Sequence, residues 1–205
     1  ALNELKRLGH WSGVNPLTEI RQFKIQQQEL AYLSHIEVSE LLRSCEMSAN
    51  PHVTLVAKVA LSTGGSWSET ENLTLHQLQG NRIQFARTKS GKTRAIPISL
   101  QLRSELDEHR VLHPIGTTRL FDGCYGAFMS ALDRTSIELP KGQASHVLRH
   151  TFASHFMIGG GNILTLQRAL GHSSLEMTMR YAHLAPDHMQ QVLELNPLAT
   201  ANQLL

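Results

Sequence analysis

His146, Arg149, His172 and Tyr181 are the side chains in this sequence whose types and spacing could do chemistry together. His146 and Arg149 stand three apart in Ser-His-Val-Leu-Arg-His-Thr-Phe, a segment of helical pattern that would project both from one face. His172 follows a Leu-Gly pair that reads as a helix stop, and Tyr181 comes nine residues later. A guanidinium presents a planar fork to a phosphate, imidazoles donate protons or hydrogen bonds, and a tyrosine can act as a covalent nucleophile. Around one phosphodiester these are parts for phosphoryl transfer without a metal.

The rival chemistry is metal binding, because His150, His155, His183 and His188 crowd the same region. The spacing of His146 and His150 fits a zinc-binding helix, but no Glu follows His146 as the hydrolase motif requires. Arg149 beside such a site would repel the cation. His150 and His155 then read as packing and hydrogen-bonding residues of their own helix. Tyr181 has competitors in Tyr32 and Tyr125, and a tyrosine on a helix is ordinarily a core or rim residue with a bonded hydroxyl.

The elements that must position these residues are mostly helices. Residues 1–8 carry leucines at spacing three and read as the last turns of a helix, without an initiator Met, as in a fragment of something longer. The polar run 21–29 reads as a linker. Ser34 and Glu37 form a capping box for a helix to about residue 47, and Asn50-Pro51 opens a more apolar one over 53–62, which Gly64 and Gly65 should end. A helical turn is expected over 67–72. Residues 73–78, 82–88 and 94–98 alternate as three strands, with turns at Gly80-Asn81 and Ser90-Gly91. Helices resume over 100–112, 125–137, 144–158, 163–169 and 174–182, with a last one from about 186 to 195. The expected class is mainly α with a small three-stranded antiparallel sheet (α+β).

The order His-x-x-Arg, Leu-Gly-His and then Tyr resembles the tyrosine recombinase family, and its wording is most similar to the integrases of phages and genomic islands. The resemblance implies an upstream DNA-binding domain and linker ending within 1–30, a catalytic domain with its tail helix over 31–198, and a short tail over 199–205. It implies that Arg149, His146 and His172 hold the scissile phosphate and that His146 assists proton transfer. Tyr181 would form a 3′-phosphotyrosyl link, releasing a 5′-hydroxyl. The bond energy kept in that link makes a cofactor unnecessary. Lys89, at the tip of the expected hairpin, would protonate the leaving oxygen, with Lys92 as runner-up; a solvated hairpin charge is the plainer reading. The family pattern Thr-Gly-x-Arg-x-x-Glu is met by Thr63, Gly64 and Glu69, but Ser66 stands where the family has Arg. A serine has neither charge nor fork, so Glu69 would lose a cationic neighbour and the chemistry is expected to be impaired.

With 205 residues, 41% of them hydrophobic, the chain can build one full core, and a net charge of +2 neither demands nor excludes nucleic acid. Cys45 and Cys124 form no metal or disulfide spacing and read as buried thiols in a reducing compartment. Neither a membrane span nor a signal peptide is visible. The expected partners are a double-stranded DNA attachment site and a homo-tetramer on DNA, linked through a tail helix bearing Met189, Val192, Leu193 and Leu195. DNA-bending accessory proteins could assist, and the expected location is the bacterial cytoplasm with the nucleoid. The expected function is site-specific integration and excision of mobile DNA. Two alternatives stay open: a DNA-binding regulator on the same fold that has lost its chemistry, and a helix-turn-helix repressor built on 163–182, which would leave His-x-x-Arg unexplained.

Overall fold

The computed structural model describes residues 2–13, 30–85, 93–187, 189, 191–195 and 197. The expected linker, Lys89, Lys92 and the Ser90-Gly91 turn lie outside them.

After α1 (Leu2–Arg7), the main body begins with α2 (His35–Glu46), whose capping box has both expected bonds: Glu37 N to Ser34 Oγ, and Ser34 N to a Glu37 carboxylate oxygen. The apolar α3 (Val53–Thr63) is central, with Val53, Val56, Ala57, Val59 and Ala60 all fully buried. Gly64 ends it in the left-handed conformation, φ 68°, which an L side chain adopts only at a cost. Next come the single turn α4 (Trp67–Glu71), a small sheet, α5 (Leu100–Leu112) and α6 (Tyr125–Asp133). The chain closes with α7 (Val147–Ile158), α8 (Ile163–Leu170), α9 (Glu176–Met179), a 3₁₀ turn Ala182–Leu184 and α10 (Gln191–Leu195). Among the described residues no helix is long and apolar enough to cross a membrane.

The sheet is antiparallel in the order β1 (Leu78–Gln79), β2 (Arg82–Phe85), β3 (Arg94–Pro97). Phe85 pairs with Arg94 across the β2–β3 ladder, which puts the two side chains on one face. The expected first strand, 73–78, is corrected. Only Leu78 of it is a strand residue, because the Gln77 side chain turns back to accept from Thr74 N at 2.8 Å and winds Leu75–Gln77 into a 3₁₀ turn. The Leu73 and Leu75 alternation imitated a strand.

Two buried clusters organise the molecule. The larger runs through α2, α3, α5, α6, the sheet and the first residues of α7. The smaller contains Ala153, Met157, Leu166, Leu170 and Tyr181. Helix α7 belongs to both, and Arg149 lies in its first turn, between Leu148 of the larger cluster and Ala153 of the smaller. Cys45 and Cys124 are buried free thiols, pushed up by burial to about 11 and about 12.

Candidate active site

Arg149 is fixed by two helix ends. Its Nη1 donates to Gly64 O at 2.9 Å and its Nη2 to Leu170 O at 2.7 Å. Those carbonyls close α3 and α8, both of which stop at a left-handed glycine, Gly64 and Gly171. Helix C-termini present unpaired carbonyls and partial negative charge, so they suit a cation. The Gly64 position is crowded as well, since a Cβ there would stand 2.4 Å from the Phe152 ring. A guanidinium has five N–H groups, so these two bonds do not exhaust its donors.

His146, Arg149, His172 and Tyr181 line one cleft together with Ser66, Glu69, His150 and Arg180. The expected grouping is therefore present, but two local expectations change. His146 is not on the face of a helix: α7 begins at Val147, and His146 is its exposed N-cap residue. Nor does Tyr181 lie within a helix. It falls between α9 and the 3₁₀ turn, only 2% exposed, with its ring in the smaller cluster.

His172 Nδ1 lies 2.8 Å from the Thr178 hydroxyl. With that hydroxyl donating, the ring proton sits on Nε2, the nitrogen left for a ligand. Burial first, and then Arg149, Arg180 and Arg94, lower its pKa to about 4, so the ring is neutral at pH 7. His150, expected to pack and hydrogen-bond within its own helix, instead has Nδ1 2.6 Å from the hydroxyl of the distant Tyr181. It too is lowered to about 4, by burial and then by His146, Arg180, Arg149 and His172. Burial raises the Tyr181 pKa against the pull of Arg149 and Arg180, so the phenol keeps its proton at neutral pH. Among the described residues no group of three metal-ligating side chains converges.

Position 66 departs from its expectation in an informative way. Ser66 caps α4, and its backbone N and its hydroxyl both donate to Glu69 Oε2 at 2.8 Å. That hydroxyl is committed to Glu69. Glu69 itself does not lose its cationic neighbours: Arg94 donates to both carboxylate oxygens at 2.9 Å, and Arg149 Nη1 lies 3.8 Å away. Burial raises the Glu69 pKa, but hydrogen bonds from Arg94 and Ser66 and the charge of Arg94 outweigh it and bring the carboxyl to about 2. Sequence reading missed Arg94, His150 and Arg180. Arg180 was legible as the neighbour of Tyr181, whereas Arg94 lies on a distant strand and gave no signal.

Comparison with known proteins fits this geometry. Residues 122–188 match the family model described as the phage integrase family. The integrase of Escherichia phage 186 is 50% identical over 196 residues, which is 96% of this chain and 56% of that protein. The catalytic domain of bacteriophage HP1 integrase is 49% identical, with a TM-score of 0.77 over 83% of this chain and 98% of that one. XerH recombinase in a pre-cleavage complex with its difH substrate is 24% identical; it shares the fold, with a TM-score of 0.62 over 85% of this chain and 57% of that one. The chain spans a little over half the length of the full phage 186 integrase.

Proposed function

The chain belongs to the phage integrase family of tyrosine recombinases, and from that premise we propose that it carries the catalytic site of a site-specific DNA recombinase. The observation that carries the reading is the single cleft in which Arg149, His146, His172, His150 and Tyr181 meet, with Arg149 aimed by two helix ends. The scissile phosphodiester takes the remaining Arg149 donors, with His146 and His172 Nε2 as further donors. As the Tyr181 oxygen attacks phosphorus, its proton passes to the neutral His150 at Nδ1. The bond to the 5′-oxygen breaks, leaving a 3′-phosphotyrosyl link and a 5′-oxygen that takes a proton from Lys89. Donors already in place stabilise the negative charge that grows on the phosphoryl oxygens. Rejoining reverses these steps on a new 5′-hydroxyl.

Ser66 makes this site slower than one with a second guanidinium in direct contact, since its hydroxyl is held by Glu69. The same observation favours a second reading, a DNA-binding regulator that no longer cleaves. XerH is a recombinase seen bound to its difH substrate, and this chain is read as binding an attachment duplex in a comparable manner. Assembly through the tail belongs to the same proposal: Met189, Val192 and Leu193 are exposed on and beside α10 and would pack on a neighbouring protomer, with four subunits around the DNA. The setting would be the bacterial cytoplasm at the nucleoid.

The test is a nicked duplex carrying the attachment sequence, on which cleavage releases a short strand and traps the protein. A covalent adduct that disappears in Tyr181→Phe is expected. Binding that weakens with salt but never yields an adduct, even over long incubation, would favour the regulator.

A further inference from the structure

Arg94 has an unusual position for a surface-strand arginine. Its side chain is only 6% exposed, its guanidinium carbon stacks 4.5 Å from the Phe85 ring centroid, and both terminal nitrogens donate to Glu69. Among the described residues its buried Nε has no partner. Burying a guanidinium is costly unless it is paired, and here the pairing goes wholly to one carboxylate. That carboxylate also lies 3.8 Å from Arg149 Nη1. Glu69 thus stands in contact range of two arginines, with one negative charge to share between them.

The consequence follows from charge alone. If Glu69 had Arg149 as its sole cationic neighbour, it would neutralise the group that must bind the phosphate and would itself repel that phosphate. Where the family pattern has Arg, this chain has Ser66, whose two bonds to Glu69 bring no charge. We infer that Arg94 is a positioning residue that stands in for the missing arginine: by occupying Glu69 from β3, it leaves the charge of Arg149 free for the scissile phosphate. The inference deepens, and rests on, the recombinase reading of the cleft. It also explains how a site can tolerate Ser66 while keeping the rest of its machinery. Arg94 does not replace the lost direct contact, because both of its terminal nitrogens are engaged. Its field nonetheless reaches the site: it is among the groups that lower the pKa of both Arg149 and His172.

The experiment uses inorganic phosphate as the probe, followed by NMR shifts of the His172 imidazole and the Arg149 guanidinium in this chain. Arg149→Lys should abolish the specific response; an unchanged response there would overturn the reading of the cleft itself. Given that control, Arg94→Gln should weaken phosphate binding by about tenfold, since an ionised Glu69 then competes for Arg149. The pair variant Arg94→Gln/Glu69→Gln removes both charges without stranding either, so it keeps the test decisive where the single variant folds poorly. It should bind phosphate within about threefold of the parent. On the nicked duplex, Arg94→Gln should slow adduct formation about a hundredfold in the Ser66 chain, but less than about tenfold once Ser66→Arg supplies a second partner for Glu69. A purely structural ion pair predicts the same loss in both backgrounds. That equality, or phosphate binding indifferent to Arg94→Gln, would overturn the inference while leaving the recombinase reading intact.

Discussion

Nδ1 of His150 lies 2.6 Å from the hydroxyl oxygen of Tyr181, within reach of a direct proton transfer. A phenol whose pKa is raised by burial needs a base, and an imidazole lowered to about 4 is neutral and able to accept at pH 7. His150→Gln keeps a polar group of similar reach but cannot take the proton. It should reduce adduct formation about a hundredfold with little change in DNA affinity, and make the residual rate climb with pH as the phenol ionises unaided. A His150→Gln variant cleaving at the parental rate with the parental pH profile would remove His150 from the mechanism.

The histidines also set the acid stability. Burial, joined by neighbouring positive groups, lowers His109, His150 and His172 from the ordinary 6.5 to about 4 each. The unfolded chain therefore binds protons below about pH 6.5 that the folded chain refuses, so stability falls as pH drops from there toward 4. Glu69, at about 2, acts in the same sense over a lower window: its contribution is full above the ordinary carboxylate range and is lost as pH falls from there through about 2. The first loss on acidification should be the histidine one, a fall of about 5 °C or more in melting temperature between pH 7 and pH 5. A melting temperature flat over that interval would contradict the buried neutral imidazoles.

Ser66→Arg tests the impairment. A second guanidinium with donors free for the phosphate should raise the cleavage rate by about a hundredfold, with a smaller gain in DNA affinity. The gain should vanish in a Tyr181→Phe background. Equal cleavage by the parent and Ser66→Arg chains would overturn the impairment, because the direct contact of a second guanidinium would then contribute nothing.

Gly64→Ala should be among the most damaging small substitutions. It forces an L side chain into φ 68° and sets a Cβ 2.4 Å from a Phe152 ring carbon. The expected loss in chemical denaturation is about 2 kcal/mol or more. Activity should fall further than stability explains, because the Gly64 carbonyl is one of the two that aim Arg149. A change below about 0.5 kcal/mol, which is ordinary for a surface substitution, would argue against the packing described.

Removing residues 186–205 tests the tail. Met189, Val192 and Leu193 are 69%, 60% and 69% exposed, so their loss should cost the isolated domain little. Assembly on DNA should weaken by contrast, read as loss of the higher-order complexes in sedimentation. An unfolded truncated domain would show instead that the tail serves its own core.

Much of the molecule was legible because its signals are local. The Ser34–Glu37 capping box, the glycines closing α3 and α8, and the His-x-x-Arg and Leu-Gly-His motifs each act within a few residues and predict helices and stops, while the order of those motifs before Tyr181 carried the family resemblance that implied a phosphate site. Local signals also misled. Leu73 and Leu75 alternate as in a strand, yet the Gln77 side chain accepts from both the backbone N and the hydroxyl of Thr74, and the segment is wound into a turn. What the sequence could not reveal are the partnerships between distant segments. Arg94 and Glu69 are 25 residues apart, and His150 and Tyr181 are 31 apart. Neither pair has a periodicity to announce it. Each is decided by which side chains the packing of β3, α4, α7 and the smaller core cluster drives out of water together, because a buried charge or hydroxyl must then bond to whatever polar group shares its space. The sequence by itself, through its family resemblance, implied a phosphate site lacking one arginine. Only the tertiary structure decided that Glu69 already has another.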